Sequence, residues 1–499
     1  MHRSNADRSD QAKAAGTSDF LQLDIAQAPP GGRADWLARQ LRHAVADGRL
    51  PVGSRLPPTR ALAAELGVSR GVVTEAYRRL TEDGHAEGHR RNGTTVVAAP
   101  LPPPARPASA PAPPPAPTPA DLFTHPPDQG VFDALRAAPA RVDLTPGTPD
   151  LAAFPRAAWL RAERELLRDL PATGLGYGDP RGTPALRAAV ADWLARNRGL
   201  RVTPDEVLIT SGTAQTLALL GQVLTAAGVT SVAVEDPGSL GARQQLAAAG
   251  LDVPPIPVDP AGARVDALRA TGAGAVLLTP AHQFPTGVVL DGARRRELLR
   301  WATEHDGLII EDDYDSEHRY DRPPVAALRS LLADRVAYCG SASKLLAPAL
   351  RIGWLVPPPE HRDALIAAKR LADLGNAALP QLVLARLMES GELERQLRLA
   401  RARHRRRRDA MIDALRRHLP HTTLHGPAAG LHLMTTFDDP ALDDTALAAA
   451  ALARGVKLHP LSWHRRLPHP PGLILGYAAT PPDAIREGVA ALAAAVSET

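Results

Sequence analysis

The sequence predicts two folded units of different class: a small, mostly helical unit ending in a β-hairpin, then a large α/β unit carrying a small α+β part at its C-terminus. Three observations predict this. Short apolar runs at 207–210, 232–235, 275–279, 308–311 and 335–340 are separated by helical stretches, the pattern of parallel strands with crossovers. Ahead of them stand three short helical patterns with an apolar period of about 3.6 residues. Between the two lies a run, 100–120, in which about every second residue is proline and most others are alanine.

Taken in order, residues 1–19 are polar and are expected to be disordered. Over 34–47, Trp36, Leu37, Leu41 and Val45 recur on one helical face and Gly48 supplies the stop. A second helix follows Pro57, burying Leu62, Ala63 and Leu66 ahead of Gly67. A third starts at Ser69, a good N-cap, and buries Val72, Val73, Ala76, Tyr77 and Leu80. Two short helices joined through Gly67 and Val68 form a helix-turn-helix. After Gly84 the β-branched run 94–97 makes 85–97 a hairpin. These elements define a first domain, 20–99.

Proline at that density can form neither a helix interior nor a sheet ladder, so it stays extended and semi-rigid. A linker is therefore expected over 100–140, and the large domain over 141–499. After Ile352 that domain reads as mainly helical, with later strands at 431–436 and 473–477. At 499 residues and 44% hydrophobic content the chain is long enough to bury a substantial core. A single cysteine, Cys339, excludes an intrachain disulfide and a cysteine-rich metal site and points to a reducing compartment. No apolar run approaches about 18 residues, and the first twenty lack a signal's apolar core. The expectation is a cytoplasmic protein with no membrane span and no metal. A net charge of +4 is too small to argue for nucleic acid by itself, and the run 401–408, rich in arginine, reads as a solvated helix face.

Chemistry concentrates in a few places. Gly340-Ser341-Ala342-Ser343-Lys344, followed by Leu350-Arg351, puts a lysine at the end of an apolar strand, among small hydroxyls and seven residues before an arginine. That suits Schiff-base formation while neighbouring groups hold an anion. The chain has only four lysines, Lys13, Lys344, Lys369 and Lys457, which adds a little weight to the one kept here. The Ser-x-x-Lys pattern of penicillin-interacting enzymes is the rival, but neither Ser-Asp-Asn nor Lys-Thr-Gly occurs. Thr210-Ser211-Gly212-Thr213 follows a strand and opens a helix, where free amides and hydroxyls can cradle a phosphate. Glu311-Asp312-Asp313-Tyr314 ends another strand: a carboxylate there can hold a pyridine nitrogen protonated, and a tyrosine hydroxyl can bond a ring phenol.

Two resemblances follow from these residues. Leu56-Pro57-Pro58-Thr59-Arg60-Ala61-Leu62-Ala63, Leu66-Gly67-Val68-Ser69-Arg70 and Gly93-Thr94-Thr95-Val96 resemble the GntR winged helix-turn-helix. Arg60 and Arg70 open two successive helices and can reach a phosphate or a guanine edge in a major groove, and Ser69, Gly71 and Thr74 are small enough to let the helix approach. The family usually has glycine where Arg91 stands in the wing. From about 143 to 494, through Tyr177-Gly178-Asp179-Pro180, Glu235-Asp236-Pro237-Gly238, Thr279 to Gly287 and the lysine motif, the chain resembles the fold type I aminotransferases that use pyridoxal 5'-phosphate (PLP). Together the two resemble the MocR/GabR class of regulators.

That resemblance implies a dimeric, PLP-dependent regulator that binds double-stranded operator DNA and senses a small amine or amino-acid effector, or PLP itself. The alternative is a working aminotransferase with an appended DNA-binding domain. It further implies the Schiff base at Lys344, the pyridinium at Asp312, the ring oxygen at Tyr314, and the phosphate at Ser211, Gly212, Thr213, Ser341, Ser343 and Arg351. Tyr177 would reach the phosphate of the partner subunit, which makes the protein a homodimer. Two positions depart from the pattern. Ser239 stands where an aromatic residue is usual, and Ile474 aligns with the arginine that grips an amino acid's α-carboxylate, with Arg465 or Arg466 as possible substitutes.

Overall fold

The computed structural model describes residues 17–18, 20–89, 93–98, 121–320 and 325–498. The expected linker core, the wing tip around Arg91 and most of the expected disordered tail lie outside them. The chain divides into two compact units at 116/117, each built around its own core.

In the first unit three helices, α1 (Arg33–Ala46), α2 (Thr59–Glu65) and α3 (Arg70–Glu82), precede an antiparallel hairpin of β1 (Ala86–His89) and β2 (Gly93–Val96). Leu37, Leu41, Leu62, Leu66, Val73 and Leu80 are at most 1% exposed and form one core that Ala86 and Val96 of the hairpin close. Val72 is only half-buried. Ser69 stands at the N-cap of α3, yet its side chain makes no capping bond. Thr17–Ser18 pairs with Leu23–Asp24, so ordered chain extends into the stretch expected to be disordered.

The second unit begins earlier than the linker reading placed it. Helices at Asp121–Thr124 and Val131–Ala137 bury Leu122, Phe123, Val131 and Leu135 in the main core. Proline density ends before them, and apolar residues at helical spacing regain a reason to fold.

An eight-stranded sheet organises this unit: β3 (Leu208–Thr210), β4 (Val232–Asp236), β5 (Pro255–Asp259), β6 (Gly262–Ala263), β7 (Ala275–Leu278), β8 (Leu308–Asp313), β9 (Val336–Ser341) and β10 (Gly353–Val356), in the order β3-β10-β9-β8-β7-β4-β5-β6. Neighbours from β9 through β5 run parallel, whereas β10 is antiparallel to both β9 and β3. Every residue of β4, β7 and β9 is buried, as expected of strands covered on both faces. The reading of the chain after Ile352 as helical misses β10, four residues between a glycine and a proline run, too short to show a period.

A four-stranded antiparallel sheet forms the C-terminal part, containing His432–Phe437 and Gly472–Gly476 close to the expected strands. Helix α5 (Glu392–His418) carries the arginine run. That run is no free solvated face. Arg401 donates to the Glu317 carbonyl at 2.7 Å, Arg405 and Arg407 to those of Tyr320 and Ala478, and Arg403 and Arg407 pair with Asp150. Guanidinium groups, with five donors each, tie this long helix to loop carbonyls that would otherwise go unpaired.

Candidate cofactor and DNA-binding sites

The carboxyl ends of β3, β4, β7, β8 and β9 deliver the sequence-predicted residues to one side of the sheet, where open α/β sheets bind ligands. After β3 the chain turns sharply into α4 (Thr213–Ala226) at Gly212, with φ +91°, a conformation that L side chains rarely adopt. A side chain there would begin 3.5 Å from Arg351 Nη1, an ordinary contact, so it is the positive φ that calls for glycine. The first-turn amides of α4, with the positive end of the helix dipole, make this a natural anion seat. The Ser211 amide is already taken, donating to Gln215 Oε1 at 2.8 Å, while Asn376 Nδ2 donates to Ser211 Oγ at 3.0 Å.

Alternation along β8 sorts three consecutive acids. Glu311 accepts the amides of Leu328 and Arg329, and Asp313 pairs with Arg198 and accepts from Tyr338 Oη. Asp312 faces the other way and lines a cavity of about 570 Å³, its Oδ1 buried and without a hydrogen-bond partner. Loss of solvent pushes its carboxyl up to about 7, with Asp313 adding to the rise and Lys344 opposing it. Tyr314 lines the same cavity, its hydroxyl 3.1 Å from His282 Nδ1, which also contacts Asp315 at 2.8 Å.

Lys344 sits on the short helix Ala342–Leu345 that follows β9. Its Nζ projects into the cavity and donates to the Gly147 carbonyl, and burial lowers its pKa against the opposing pull of Asp312 and Asp315. A larger fraction of the amine is thereby neutral and nucleophilic than in an exposed lysine.

Four of the predicted residues, Thr213, Asp312, Tyr314 and Lys344, thus meet on one cavity. Ser211 and Arg351 line a second, of about 280 Å³, with Asn376 and Asp373, and Gly212 joins the two groups. Ser341 Oγ accepts the Ser343 amide at 3.1 Å and caps the lysine-bearing helix, and neither serine lines either cavity. Tyr177 is 97% exposed and belongs to neither cavity. Sequence reasoning assigned no role to Gly147, Asn376, His432, His459 or His464. Their contributions come from distant segments, and no local spacing marks them.

The orphaned oxygen of Asp312, the glycine-lined anion seat and the amine of Lys344 together fit PLP: a carboxylate for the ring nitrogen, a cradle for the phosphate and a nucleophile for the carbonyl. In the first unit Arg60, Ser69, Arg70, Gly71 and Thr74 are all exposed at the starts of α2 and α3. Arg78 and Arg79 are held by Glu75, Glu82 and Asp35. Among the described residues Arg60 and Arg70 make no ion pair, and Arg70 Nε donates to Thr59 Oγ1 at 3.2 Å.

Comparison with known proteins finds a family for each unit. The family of bacterial regulatory proteins of the gntR type matches residues 34–96, and the aminotransferase class I and II family matches 141–492. The probable rhizopine catabolism regulatory protein MocR of Rhizobium meliloti is 34% identical over 466 residues, 92% of each chain. The chain is a MocR-type regulator. The HTH-type pyridoxine biosynthesis transcriptional regulator PdxR of Corynebacterium glutamicum is 32% identical and covers 92% of this regulator and 95% of its own length. The kynurenine aminotransferase of Pyrococcus horikoshii, solved in complex with PMP, matches 74% of this chain and 94% of its own at 28% identity and a TM-score of 0.67. PLP is the cofactor of this fold, and the regulator's N-terminal domain is a DNA-binding one.

Ile474, Arg465, Arg466 and Ser239 are the positions at which the sequence reads as departing from the aminotransferase pattern. Ile474 is fully buried and packs with Met434, Leu461 and Phe284. Neither proposed substitute reaches the cavity: Arg465 bonds the His469 carbonyl and Arg466 that of Val253 at 2.7 Å. Ser239 lines the cavity and caps the next helix through Ala242 N at 3.3 Å, a role an aromatic residue could not play.

Proposed function

We propose that this regulator works in the cytoplasm as a homodimer, binds double-stranded operator DNA through α3, and senses a small amine or amino-acid effector, or PLP itself, at Lys344. The observation that carries the reading is the meeting of Lys344, Asp312 and Tyr314 on one cavity. Among the described residues no helix is long and apolar enough to cross a membrane.

Bound PLP supplies an electrophilic carbon for amines and an electron-withdrawing ring. In this reading Lys344 contributes a partly neutral amine, Asp312 holds a proton at the ring nitrogen, and Tyr314, aligned by His282, donates to the ring oxygen. Ser211, Gly212, Thr213 and Arg351 hold the phosphate, while Ser341 and Ser343 shape the lysine-bearing turn. An effector amine competes with Lys344 for the cofactor. The helix Val131–Ala137 supports coupling to DNA: Phe132, Leu135 and Arg136 line the cavity, and only the short helix Asp121–Thr124 stands between this segment and the proline-rich run. A ligand that binds two arrangements of this wall with different affinity would shift operator binding. Supporting a homodimer, Leu175, Tyr177, Leu371 and Leu374 are 59–97% exposed, and Gly375 packs on Pro180, which brings the last of these beside the Tyr177 segment.

The test is the near-visible absorption of protein incubated with PLP beside Lys344→Ala, followed by operator titration with and without amines. A band only in the native protein, and an operator affinity that moves with amine, are the expected results. No band in either protein would reduce the large unit to a dimerisation scaffold, and unchanged operator affinity would remove the sensing role. The intact lysine keeps the aminotransferase reading in play: turnover of an amino acid with a keto acid would decide for it.

A further inference from the structure

Behind Tyr314 lies an acid that the cofactor cavity does not touch. Asp315 is 2% exposed and lines neither cavity. Its Oδ2 stands 2.8 Å from His282 Nδ1, and the same nitrogen stands 3.1 Å from Tyr314 Oη. An ionised carboxylate only accepts, so at 2.8 Å the proton of this contact belongs to Nδ1. Asp315 is in that state: burial would raise its carboxyl, but His282, with His432 and His318 beyond it, holds it below the ordinary carboxylate range. At the other side of the ring, His282 Nε2 is buried with no hydrogen-bond partner to draw the proton there.

The ring itself is clamped. Gly430, with φ +86°, stands two residues before the strand His432–Phe437, and a side chain there would collide with His282 Cε1 and begin 3.0 Å from Asp315 Oδ2. Its carbonyl is pinned by the hydroxyls of Tyr320 and Tyr477 at 2.6 and 2.7 Å. With the imidazole fixed in place, only the position of its proton is left to settle.

Tyr314 keeps its own proton, because burial, then the charges of Asp315 and Asp312, raise its phenol well above the ordinary value. It can donate that proton into the cavity only while a lone pair, and not its hydrogen, faces His282. A hydrogen on Nδ1 enforces this, and by occupying Asp315 Oδ2 it also competes with Tyr314 for the carboxylate.

We propose that Asp315 is a positioning residue of the cofactor site: by fixing the proton of His282 on Nδ1, it aims the Tyr314 hydroxyl into the cavity. This rests on the reading in which Tyr314 donates to the ring oxygen of PLP, and adds the group that sets the direction of that bond.

The experiment measures, by equilibrium dialysis of the full-length protein, the affinity for PLP and for the analogue with hydrogen in place of the ring hydroxyl. Their ratio reads the bond to the ring oxygen, whereas a loss of packing weakens both alike. Tyr314→Phe should lower the ratio about tenfold. Asp315→Leu should lower it about threefold or more, and the double variant should fall no further than Tyr314→Phe alone. His282→Asn, whose Nδ2 puts a donor in the place of Nδ1, should retain the ratio. Thermal melting checks folding, and if Asp315→Leu does not fold, His282→Leu with Asp315→Asn, which leaves no buried charge, carries the same expectation. A ratio unchanged or raised without the Asp315 carboxylate, losses that add in the double variant, or a His282→Asn as weak as Tyr314→Phe would overturn the assignment. A ratio unmoved by Tyr314→Phe would instead bring down the placement of the ring oxygen at Tyr314, and this assignment with it.

Discussion

Glu235 illustrates what the interior does to a single carboxyl. Its Oε2 accepts the amide and hydroxyl of Thr279 at 2.9 and 2.7 Å, yet burial still raises its pKa from 4.5 to about 7. Below pH 4.5 it is protonated in both folded and unfolded states. As pH rises through 7 the unfolded chain has long ionised, while the folded chain resists, so its contribution to stability is lost. Glu235→Gln should therefore gain on the native protein between pH 5 and 8 by up to about 3 kcal/mol, read by urea unfolding. A gap that does not vary with pH would mean the carboxyl titrates normally. At Gly212 the expectation has the opposite sign: Gly212→Ala forces a side chain into φ +91° against Arg351, a strain of roughly 1–3 kcal/mol that should lower the melting temperature and weaken PLP binding. The residue types at such positions were legible beforehand, because a glycine between a strand and a helix, or a lysine after an apolar strand, has few other uses. Their partners were not: Gly147 meets Lys344 from 197 positions away.

Period-two alternation on one strand assigns neighbouring acids to different tasks. Asp313 and Arg198 are a buried pair, with side chains 2% and 1% exposed, whereas Asp312 faces the cavity. Asp313→Asn should cost about 3–5 kcal/mol by leaving the guanidinium unpaired, and Asp312→Asn should cost little stability while shifting the cofactor's absorption and affinity. Denaturant melts and PLP titration of the two variants separate the effects, and the reverse pattern would refute the sorting. From the sequence, Glu311-Asp312-Asp313 offered three carboxylates at one strand end; the resemblance singled out Asp312, and strand geometry supplies the physical reason. In the same way the run 401–408 in α5 read as a solvated basic face because clustered arginines on a helix ordinarily face water. Which carbonyls its arginines would meet depended on loops up to 85 positions away in the chain, as with Arg405 and Tyr320.

At the scale of the molecule, two units with separate cores should fail separately. Leu62 is fully buried in the first, and Leu62→Ala should cost about 2–5 kcal/mol there, abolishing operator binding while the PLP band persists. Loss of both would show that the units fold as one. If the exposed leucines beside Tyr177 mark the dimer contact, Leu371→Glu should halve the mass seen by light scattering. Composition and periodicity by themselves determined the fold class, the order of the units, the helix-turn-helix and most strands of the main sheet, because local propensity and a face-by-face apolar pattern are properties of a few consecutive residues. The motifs likewise determined the cofactor. Tertiary structure alone decided that residues 121–137 belong to the second unit's core, that β10 inserts antiparallel between β9 and β3, and that Ser211 with Arg351 lines a different cavity from Lys344. Each of these depends on contacts between segments far apart in the chain, which no local pattern encodes.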